Sequence, residues 1–280
     1  MLNSKWRFSF LAFLIISSLI VSGGFSPSCS FAESLTIRGS TTVLSIAQKA
    51  AERYMQIHPK ANISVSGGGS GTGIKALLDG TVDIADASRP MKAKEVKKAR
   101  ERGITPVEHI VAKDGIAVIV HPQNPISALS KNRIKDIYTG KIKNWSDLGG
   151  TNKKIVVVSR ETSSGTFECF NKIVLKKEKV TPFSLLQAAN ASVLQTVSQS
   201  KGTIGYVGIG YIDKRVKAIK VDGVYPTEAT VLDSTYPISR PLFMYTNGKP
   251  TGLAARFIDF VLSEKGQEIV KEEGFVSVRQ

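Results

Sequence analysis

The chain has 280 residues, with 38 lysines and arginines against 23 aspartates and glutamates, and therefore a formal net charge of +15 at pH 7. This length is enough for one large or two small domains with their own cores, and the positive charge favours anionic ligands. Zinc-finger spacing and basic patches interleaved with aromatic residues are absent from the sequence, so we expect no nucleic-acid partner.

The first 32 residues have the pattern of a secretory signal peptide. Two basic residues precede an apolar run of 14 residues from Phe8 to Val21, which is short for a membrane span. The small residues Ser30 and Ala32 then form a cleavage site. A membrane anchor and lipidation of Cys29 are the alternatives. We expect cleavage after Ala32 and export to the periplasm, which leaves Cys169 without a disulfide partner.

Strand patterns and helix patterns alternate along the rest of the chain. In chain order the predicted strands are SLTIRGS, NISVSG, TVDIADAS, one or two in VEHIVAKDGIAVIVHP, KIVVVSR, GTIGYVGIGY and YPISRPLFMYT. The predicted helices are TTVLSIAQKAAERYMQIHP, a short one after GGGSGTG, PMKAKEVKKARERG opened by Pro90, SKNRIKDIYTG, SGTFECFNKIVL, SVLQTVSQS, and GLAARFIDFVLSEKGQEIVKEEG as the closing helix. This alternation predicts an α/β fold, and the continuous apolar strand KIVVVSR is typical of a parallel sheet covered on both faces.

Three turns rich in glycine, serine and threonine each connect a strand to a helix. They are RGSTTV at 38–43, GGGSGTG at 67–73 and SRETSSGTF at 159–167. The first turn of a helix has unpaired backbone N–H groups and a partial positive charge. Together, the three turns predict one site for a small oxyanion, with Arg160 as its bidentate cation. Taken singly, each turn is better explained by N-capping, and Arg160 could instead form an ion pair with Glu161 or another carboxylate.

Motifs for nucleotide binding, metal binding and catalysis are missing or incomplete. No Gly-x-x-x-x-Gly-Lys-Ser/Thr occurs, and the three histidines lack metal-ligand spacing, so we expect neither cofactor nor metal. SQSK at 198–201 matches Ser-x-x-Lys, but its partner motif Lys-Thr-Gly is absent. A serine-dependent phosphatase or acyltransferase acting through Ser164 or Ser198 remains the enzymatic alternative.

Six segments of the chain resemble, in the same order, segments of the periplasmic phosphate-binding proteins of ABC importers, the PstS-like family. They are GSTTV, GGGSGTGIKAL, VDIADASRP, KDGIAVIV, DIYTGKIKNWSDLGG and SRETSSGTF. The resemblance runs across essentially the whole chain after the leader. It implies a type II periplasmic-binding-protein fold, in which two α/β lobes close on the ligand. Lobe one would comprise 33–117 and 238–280, lobe two 118–237, and the hinge would lie in AVIVH and YPISR.

The resemblance also implies a ligand, a partner and a set of contacts. The ligand would be inorganic phosphate, the partner the membrane permease subunits of an importer, and the protein a monomer without enzymatic activity. A sensor or adhesin on the same fold is a further alternative. The implied phosphate contacts are Thr41, Thr42 and Ser70 of lobe one, with Ser40 and Gly71 beside them, and Arg160, Ser164, Gly165 and Thr166 of lobe two.

One position departs from some members of the family. They carry an aspartate that accepts the proton of phosphate, where this chain has Ser88. A carboxylate rejects sulfate, which has no proton to give, whereas serine can donate or accept. A receptor for sulfate, molybdate or tungstate is therefore the alternative function. Asp114 or Asp86 could replace the acceptor, unless Asp114 pairs with Arg89 and Asp86 forms a strand-end turn. Arg89 could instead add charge to the site.

Overall fold

The structure is a computed structural model, and it describes residues 33–279. The predicted signal peptide and Cys29 lie outside these residues. Residues Ala32–Gln280 form one compact unit whose hydrophobic core runs from Leu35 to Val276. Among the described helices, none has both the length and the apolar character that a bilayer-crossing helix needs.

The described strands and helices follow the predicted alternation. The strands are β1 (Glu33–Gly39), β2 (Ala61–Ser66), β3 (Ile84–Ala87), β4 (Pro106–Val120), β5 (Ala128–Leu129), β6 (Val156–Arg160), β7 (Leu185–Gln187), β8 (Thr203–Gly208), β9 (Lys217–Ala218), β10 (Lys220–Val221) and β11 (Ser239–Asn247). The α-helices are α1 (Leu44–Ile57), α2 (Ser70–Leu78), α3 (Ala93–Glu101), α4 (Lys131–Tyr138), α5 (Gly165–Ile173), α6 (Asn190–Gln199), α7 (Glu228–Leu232), α8 (Gly252–Leu262) and α9 (Glu264–Glu272). Short 3-10 helices span Trp145–Leu148 and Ile209–Tyr211.

Most of the strands join in one sheet with the order β2-β1-β3-β11-β4-β8-β6-β7. The pairs β1–β2, β1–β3, β6–β8 and β6–β7 are parallel, whereas β11 runs antiparallel to β3 and β4, and β8 antiparallel to β4. This confirms the predicted mixed α/β fold. Because β1, β2 and β6 end next to strand-to-helix turns, the three turns of the sequence lie at the carboxyl ends of their strands, where ligands bind in such sheets.

The long strand β4 connects the two halves of the sheet. It pairs with β11 up to Gly115 and with β8 from Ile116 to Val120. At Gly115 a β-carbon would come within 2.7 Å of the Val231 side chain, so any larger residue here would push the strand and α7 apart. The change of partner thus lies just before the AVIVH segment that was expected to hold the hinge, and β11 begins inside YPISR, at Ser239.

Two predicted helix boundaries are wrong. Pro90 does not open α3, because the backbone is extended at Lys92 and the Glu95 carboxylate accepts a hydrogen bond from the Lys92 N–H, so that the helix begins at Ala93. The closing helix is two helices, because the backbone of Ser263 is extended and its hydroxyl caps α9. The short elements β5, β7, β9, β10 and α7 were not predicted, since two to five residues are too few to show a hydrophobic period.

Candidate functional site

The three predicted turns meet in one buried cluster. Thr42 of the first turn and Thr166 of the third share a hydrogen bond of 3.0 Å between their Oγ1 atoms. Arg160 donates from Nη2 to Thr41 Oγ1 at 2.9 Å. The second turn joins through the Gly71 N–H, which donates to the Ser163 carbonyl at 2.9 Å. The structure therefore brings together side chains that lie more than a hundred residues apart in the chain.

Two glycines let the turns approach each other so closely. Gly69 has a φ of +95°, and a β-carbon there would lie 2.7 Å from the Ser163 carbonyl oxygen. A β-carbon on Gly165 would lie 2.3 Å from Ser70 Oγ and 2.7 Å from Ser88 Oγ. Larger residues at these positions would push the second and third turns apart. The glycines are required by packing between turns, in addition to any approach to a ligand.

The predicted serines hold the turns in shape. Ser88 donates its N–H to Ser70 Oγ at 3.0 Å, and the two hydroxyl oxygens lie 3.3 Å apart. Ser40 Oγ accepts from the Thr42 N–H at 3.1 Å. Ser164 Oγ accepts from the Phe167 N–H at 3.2 Å, so Ser164 caps α5. N-capping was the alternative explanation of this turn in the sequence.

Arg160 is the buried cation that the sequence predicted. Its side chain is 1% exposed, Nε donates to the Gln187 carbonyl at 3.0 Å, and Nη2 also donates to the Ala188 carbonyl at 2.8 Å. Nη1 is buried and has no hydrogen-bond partner among residues 33–279. Burial, with a further contribution from the Arg240 charge, lowers the pKa of Arg160 to about 10. None of the described ion pairs joins Arg160 to Glu161.

A second arginine, Arg240, enters the cluster and was not predicted. Its Nε and Nη2 donate to Asp114 Oδ2 at 2.9 and 2.7 Å. Nη2 also donates to Thr166 Oγ1 at 3.1 Å, and Nη1 donates to the Ser88 carbonyl at 3.0 Å. Arg240 lies directly opposite Asp114 in the antiparallel pairing of β11 with β4. Its one signal in the sequence is a cation in an otherwise apolar strand.

Asp114 is engaged by Arg240, and the alternative in which it pairs with Arg89 is wrong. The second carboxylate oxygen, Oδ1, accepts from the Ile209 N–H at 3.0 Å. Burial raises the pKa of Asp114, and the positive charge of Arg240 opposes this shift. Because both oxygens already accept hydrogen bonds, Asp114 neutralises Arg240 rather than offering a free acceptor.

Arg89 pairs with carboxylates outside this cluster. Its Nη1 and Nη2 donate to the two oxygens of Glu95 at 2.7 and 2.8 Å, and its Nε lies 3.0 Å from Glu168. Lys92 lies 2.6 Å from the same oxygen of Glu168. Arg89 lies just after β3 and contacts acidic residues of α3 and α5. Strand β11, in contrast, holds Arg240 opposite Asp114. Asp114 therefore pairs with Arg240 and not with Arg89. The guanidinium is compensated by these acids and adds no charge to the cluster.

Asn190 at the start of α6 completes the cluster and was also missed. Its Nδ2 donates to Thr42 Oγ1 at 3.0 Å and to Thr41 Oγ1 at 3.3 Å. Its Oδ1 accepts from the Gly208 N–H at 3.4 Å. The helix was predicted to begin at Ser192, and the residue that reaches the site lies just before that boundary.

The cluster thus combines two buried guanidinium groups, one carboxylate and many neutral donors. The neutral groups are the hydroxyls of Thr41, Thr42, Ser70, Ser88 and Thr166 and the amide of Asn190, all of them buried. The resulting surplus of positive charge fits a small anion. Residues 33–279 contain no group of three or more histidine, cysteine or acidic side chains placed to hold a metal ion.

Asp86, on β3, is a second buried carboxyl close to the cluster. Its side chain is fully buried, and neither oxygen has a hydrogen-bond partner within the described part of the chain. Burial raises the pKa of Asp86 to about 8. The folded protein therefore holds a proton here between about pH 4 and pH 8, where the unfolded chain has lost it.

Replacing Asp86 with asparagine is expected to flatten the dependence of stability on pH. Since the native state binds the extra proton, the free energy of unfolding of the parent protein falls as pH rises from about 4 to about 8. Asp86→Asn removes this contribution, and urea unfolding at several pH values would measure it. Asp147→Asn, at an exposed position, is the control. A slope in the Asp86 variant as steep as in the parent would contradict the assignment.

Most of the chain resembles proteins of one known family. Residues 28–265 match the family model of the PBP superfamily domain. The phosphate-binding protein PstS of Bacillus subtilis (strain 168) is 37% identical over 247 residues, which cover 88% of this chain and 81% of that protein. The phosphate-binding protein PstS of Staphylococcus aureus (strain USA300) is 35% identical over 253 residues, covering 85% and 76%.

Solved structures agree with this relationship. A phosphate ABC transporter substrate-binding protein of Clostridium perfringens with bound phosphate has a TM-score of 0.82 and 39% identity, covering 88% of this chain and all of that one (100%). An ABC-type phosphate transport receptor of Vibrio cholerae has a TM-score of 0.72 and 33% identity, covering 86% and 99%. The chain therefore belongs to the PBP superfamily and, within it, to the family of the phosphate-binding protein PstS.

Proposed function

We propose that this protein captures inorganic phosphate outside the cytoplasm and delivers it to the membrane permease subunits of an ABC importer. The observation that carries the proposal is the buried cluster around Arg160, whose Nη1 has no partner among the described residues. Relatives over most of the chain are named phosphate-binding proteins, and one of the similar structures holds phosphate. The predicted signal peptide supports export, and binding without turnover is the proposed activity.

The proposed contacts to phosphate are the predicted residues together with two that the structure adds. The proposed set is Ser40, Thr41, Thr42, Ser70, Gly71, Ser88, Arg160, Ser164, Gly165 and Thr166, with Arg240 and Asn190 as additions. Ser40 and Ser164 contribute mainly by holding their turns, since each hydroxyl already accepts a backbone hydrogen bond. Gly71 also holds a turn, because its N–H is used by Ser163.

The choice between phosphate and other oxyanions depends on hydroxyl groups. The Asp114 carboxylate is charge-paired with Arg240, and each of its oxygens already accepts a hydrogen bond, from Arg240 or from the Ile209 N–H. The Ser70 and Ser88 hydroxyls can each donate or accept, and either could accept the proton of HPO₄²⁻. The same feature keeps sulfate, molybdate and tungstate as the alternative ligands, because a hydroxyl can also donate to a fully ionised anion.

We propose further that the cleft closes by a hinge between the two predicted lobes, 33–117 with 238–280 and 118–237. The strands β4 and β11 would carry the motion near Gly115, where β4 changes partner. Contacts that span the two lobes support this assignment, among them the pairing of Glu168 with Arg89 and Lys92. These contacts would form on closure, while the ligand is held between turns of both lobes.

Calorimetry with phosphate, sulfate, molybdate and tungstate at pH 5 and pH 8 would test the ligand. We expect phosphate to bind with micromolar affinity or tighter, since each charge-assisted hydrogen bond contributes about 1.5–3 kcal/mol. Sulfate is expected to bind more weakly, and equal or tighter sulfate binding would overturn the phosphate assignment. Hydrolysis of a chromogenic phosphate ester that is lost in Ser164→Ala would instead favour the enzymatic alternative.

A further inference from the structure

Three large apolar side chains are exposed together at the edge of the sheet. Phe183 is 87% exposed, Leu186 61% and Leu185 45%. Phe183 lies in the loop after α5, and the two leucines belong to β7, the last strand in the sheet order. We call these three residues the apolar tip. Clustered exposed apolar side chains of this size mark an interaction surface.

A groove of about 300 Å³ adjoins the apolar tip and carries positive charge. Phe183 forms part of its wall together with other apolar side chains such as Ile142 and Val156, and Lys143 and Lys154 line it as well. Neither lysine takes part in an ion pair in the described range 33–279. The groove therefore combines an apolar wall with two uncompensated cations, which is the chemistry that an anionic amphiphile requires.

The loop that leads to the apolar tip adds more lysines. Lys176, Lys177 and Lys179 are exposed in it, and the acidic residue among them, Glu178, is already neutralised by Lys135 at 2.9 Å and Lys141 at 3.5 Å. These contacts place the loop beside the end of α4, next to the groove. The loop thus brings further cations near the groove, and cations beside exposed apolar side chains are typical of proteins that bind membrane surfaces.

We propose that the apolar tip and its lysines bind the surface of an anionic phospholipid bilayer. The lysines would contact lipid phosphates, while Phe183 and the leucines enter the boundary between headgroups and acyl chains. Neighbouring side chains of a strand point to opposite faces, so Leu185 and Leu186 expose apolar surface on both sides of the sheet edge. A bilayer interface can surround such an edge, whereas a protein packing against one face would leave the other exposed.

An added strand from a protein partner fits the tip less well. The strand β7 has three residues, so its free edge offers few backbone hydrogen bonds. The groove lies away from the anion site, because Val156 in it precedes Arg160 by four residues of β6, or about 13 Å. The other end of the apolar tip is nearer, since Leu186 pairs with Ser159 beside Arg160. Lipid binding by the tip does not depend on the proposed ligand.

Sedimentation with vesicles would test the proposal on the folded unit Ala32–Gln280, which lacks the apolar leader. We expect this unit to sediment with vesicles of equal parts phosphatidylglycerol and phosphatidylcholine, and about tenfold less with pure phosphatidylcholine or in roughly 0.5 M NaCl, where charges are screened. The variant Phe183→Ser/Leu186→Ser should lower the partition coefficient about tenfold, and Lys143→Gln/Lys154→Gln should lower it comparably.

Matched controls separate this surface from the general positive charge. Ile57→Ser removes an apolar side chain that is 49% exposed elsewhere, and Lys94→Gln/Lys97→Gln removes two exposed charges on α3. Both are expected to sediment like the parent, with thermal melting confirming that every variant is folded. No sedimentation with the anionic vesicles, as expected if the surface binds an acidic protein instead, would overturn the proposal. An equal loss in the control variants would overturn it too.

Discussion

Arg160→Ala is expected to weaken phosphate binding by at least about tenfold, as measured by calorimetry. Arg160 is the buried cation whose Nη1 has no partner in the described range, so its hydrogen bond to an anion would replace no existing bond. A charge-assisted hydrogen bond contributes about 1.5–3 kcal/mol, and 1.4 kcal/mol corresponds to a factor of ten. Loss of the positive charge from a buried site adds to this effect.

Two variants make the result interpretable. Arg160→Lys keeps a positive charge but loses the planar fork, and should recover only part of the affinity. Arg133→Ala removes an exposed arginine from α4 and changes the net charge by the same amount, so it should bind phosphate like the parent. Because Arg160 also holds the Gln187 and Ala188 carbonyls, circular dichroism must show that Arg160→Ala is folded. Unchanged affinity in the folded variant would mean that the third turn only caps α5.

The parts of the site that could be predicted are those with local signals. Each of the three turns combines glycine with serine or threonine at the start of a helix, and the residues that make the turn are neighbours in the chain. Arg160 was found because it lies inside one of these turns. The structure brings Thr42, Thr166 and Arg160 into one cluster, which agrees with the expectation that turns at the carboxyl ends of strands form the ligand site.

The parts that could not be predicted depend on pairing between distant strands. Arg240 faces Asp114 because β11 runs antiparallel to β4 in a particular register, with a bulge between Leu242 and Phe243. A change of register by one residue would turn Arg240 to the other face of the sheet. Without that register, the sequence suggested Arg89 as the partner of Asp114, and the structure pairs Arg89 with Glu95 and Glu168 instead.

Long-range pairing also decides the role of Asp86. Asp86 lies on β3, and the residues paired with it are Gly39 of β1 and Met244 of β11, neither of which has a side chain that forms a strong hydrogen bond. In the sequence, Asp86 is one of several acids near the ends of strands, and its lack of a partner cannot be recognised. Whether a carboxylate has a partner, as Asp114 does, or lacks one among the described residues, as Asp86 does, depends on how the strands pair in the assembled sheet.

Arg240→Met is expected to destabilise the protein by about 3–5 kcal/mol, as measured by urea unfolding. The substitution leaves the fully buried Asp114 with one of its two partners, and removing one member of a buried ion pair has a cost of this size. It also removes donors to Thr166 and to the Ser88 carbonyl. We therefore expect phosphate affinity to fall in any variant that loses Arg240, whatever its stability.

The double variant Arg240→Met/Asp114→Asn separates these two effects. Asparagine is neutral and its side-chain oxygen can still accept from the Ile209 N–H, so most of the lost free energy of unfolding should return. Phosphate affinity should not return, because the second guanidinium is still missing from the site. If the double variant regained both stability and affinity, Arg240 would act only by compensating Asp114. If it regained neither, the pair would hold β4 against β11 by contacts other than charge, and the electrostatic account of this ion pair would be wrong.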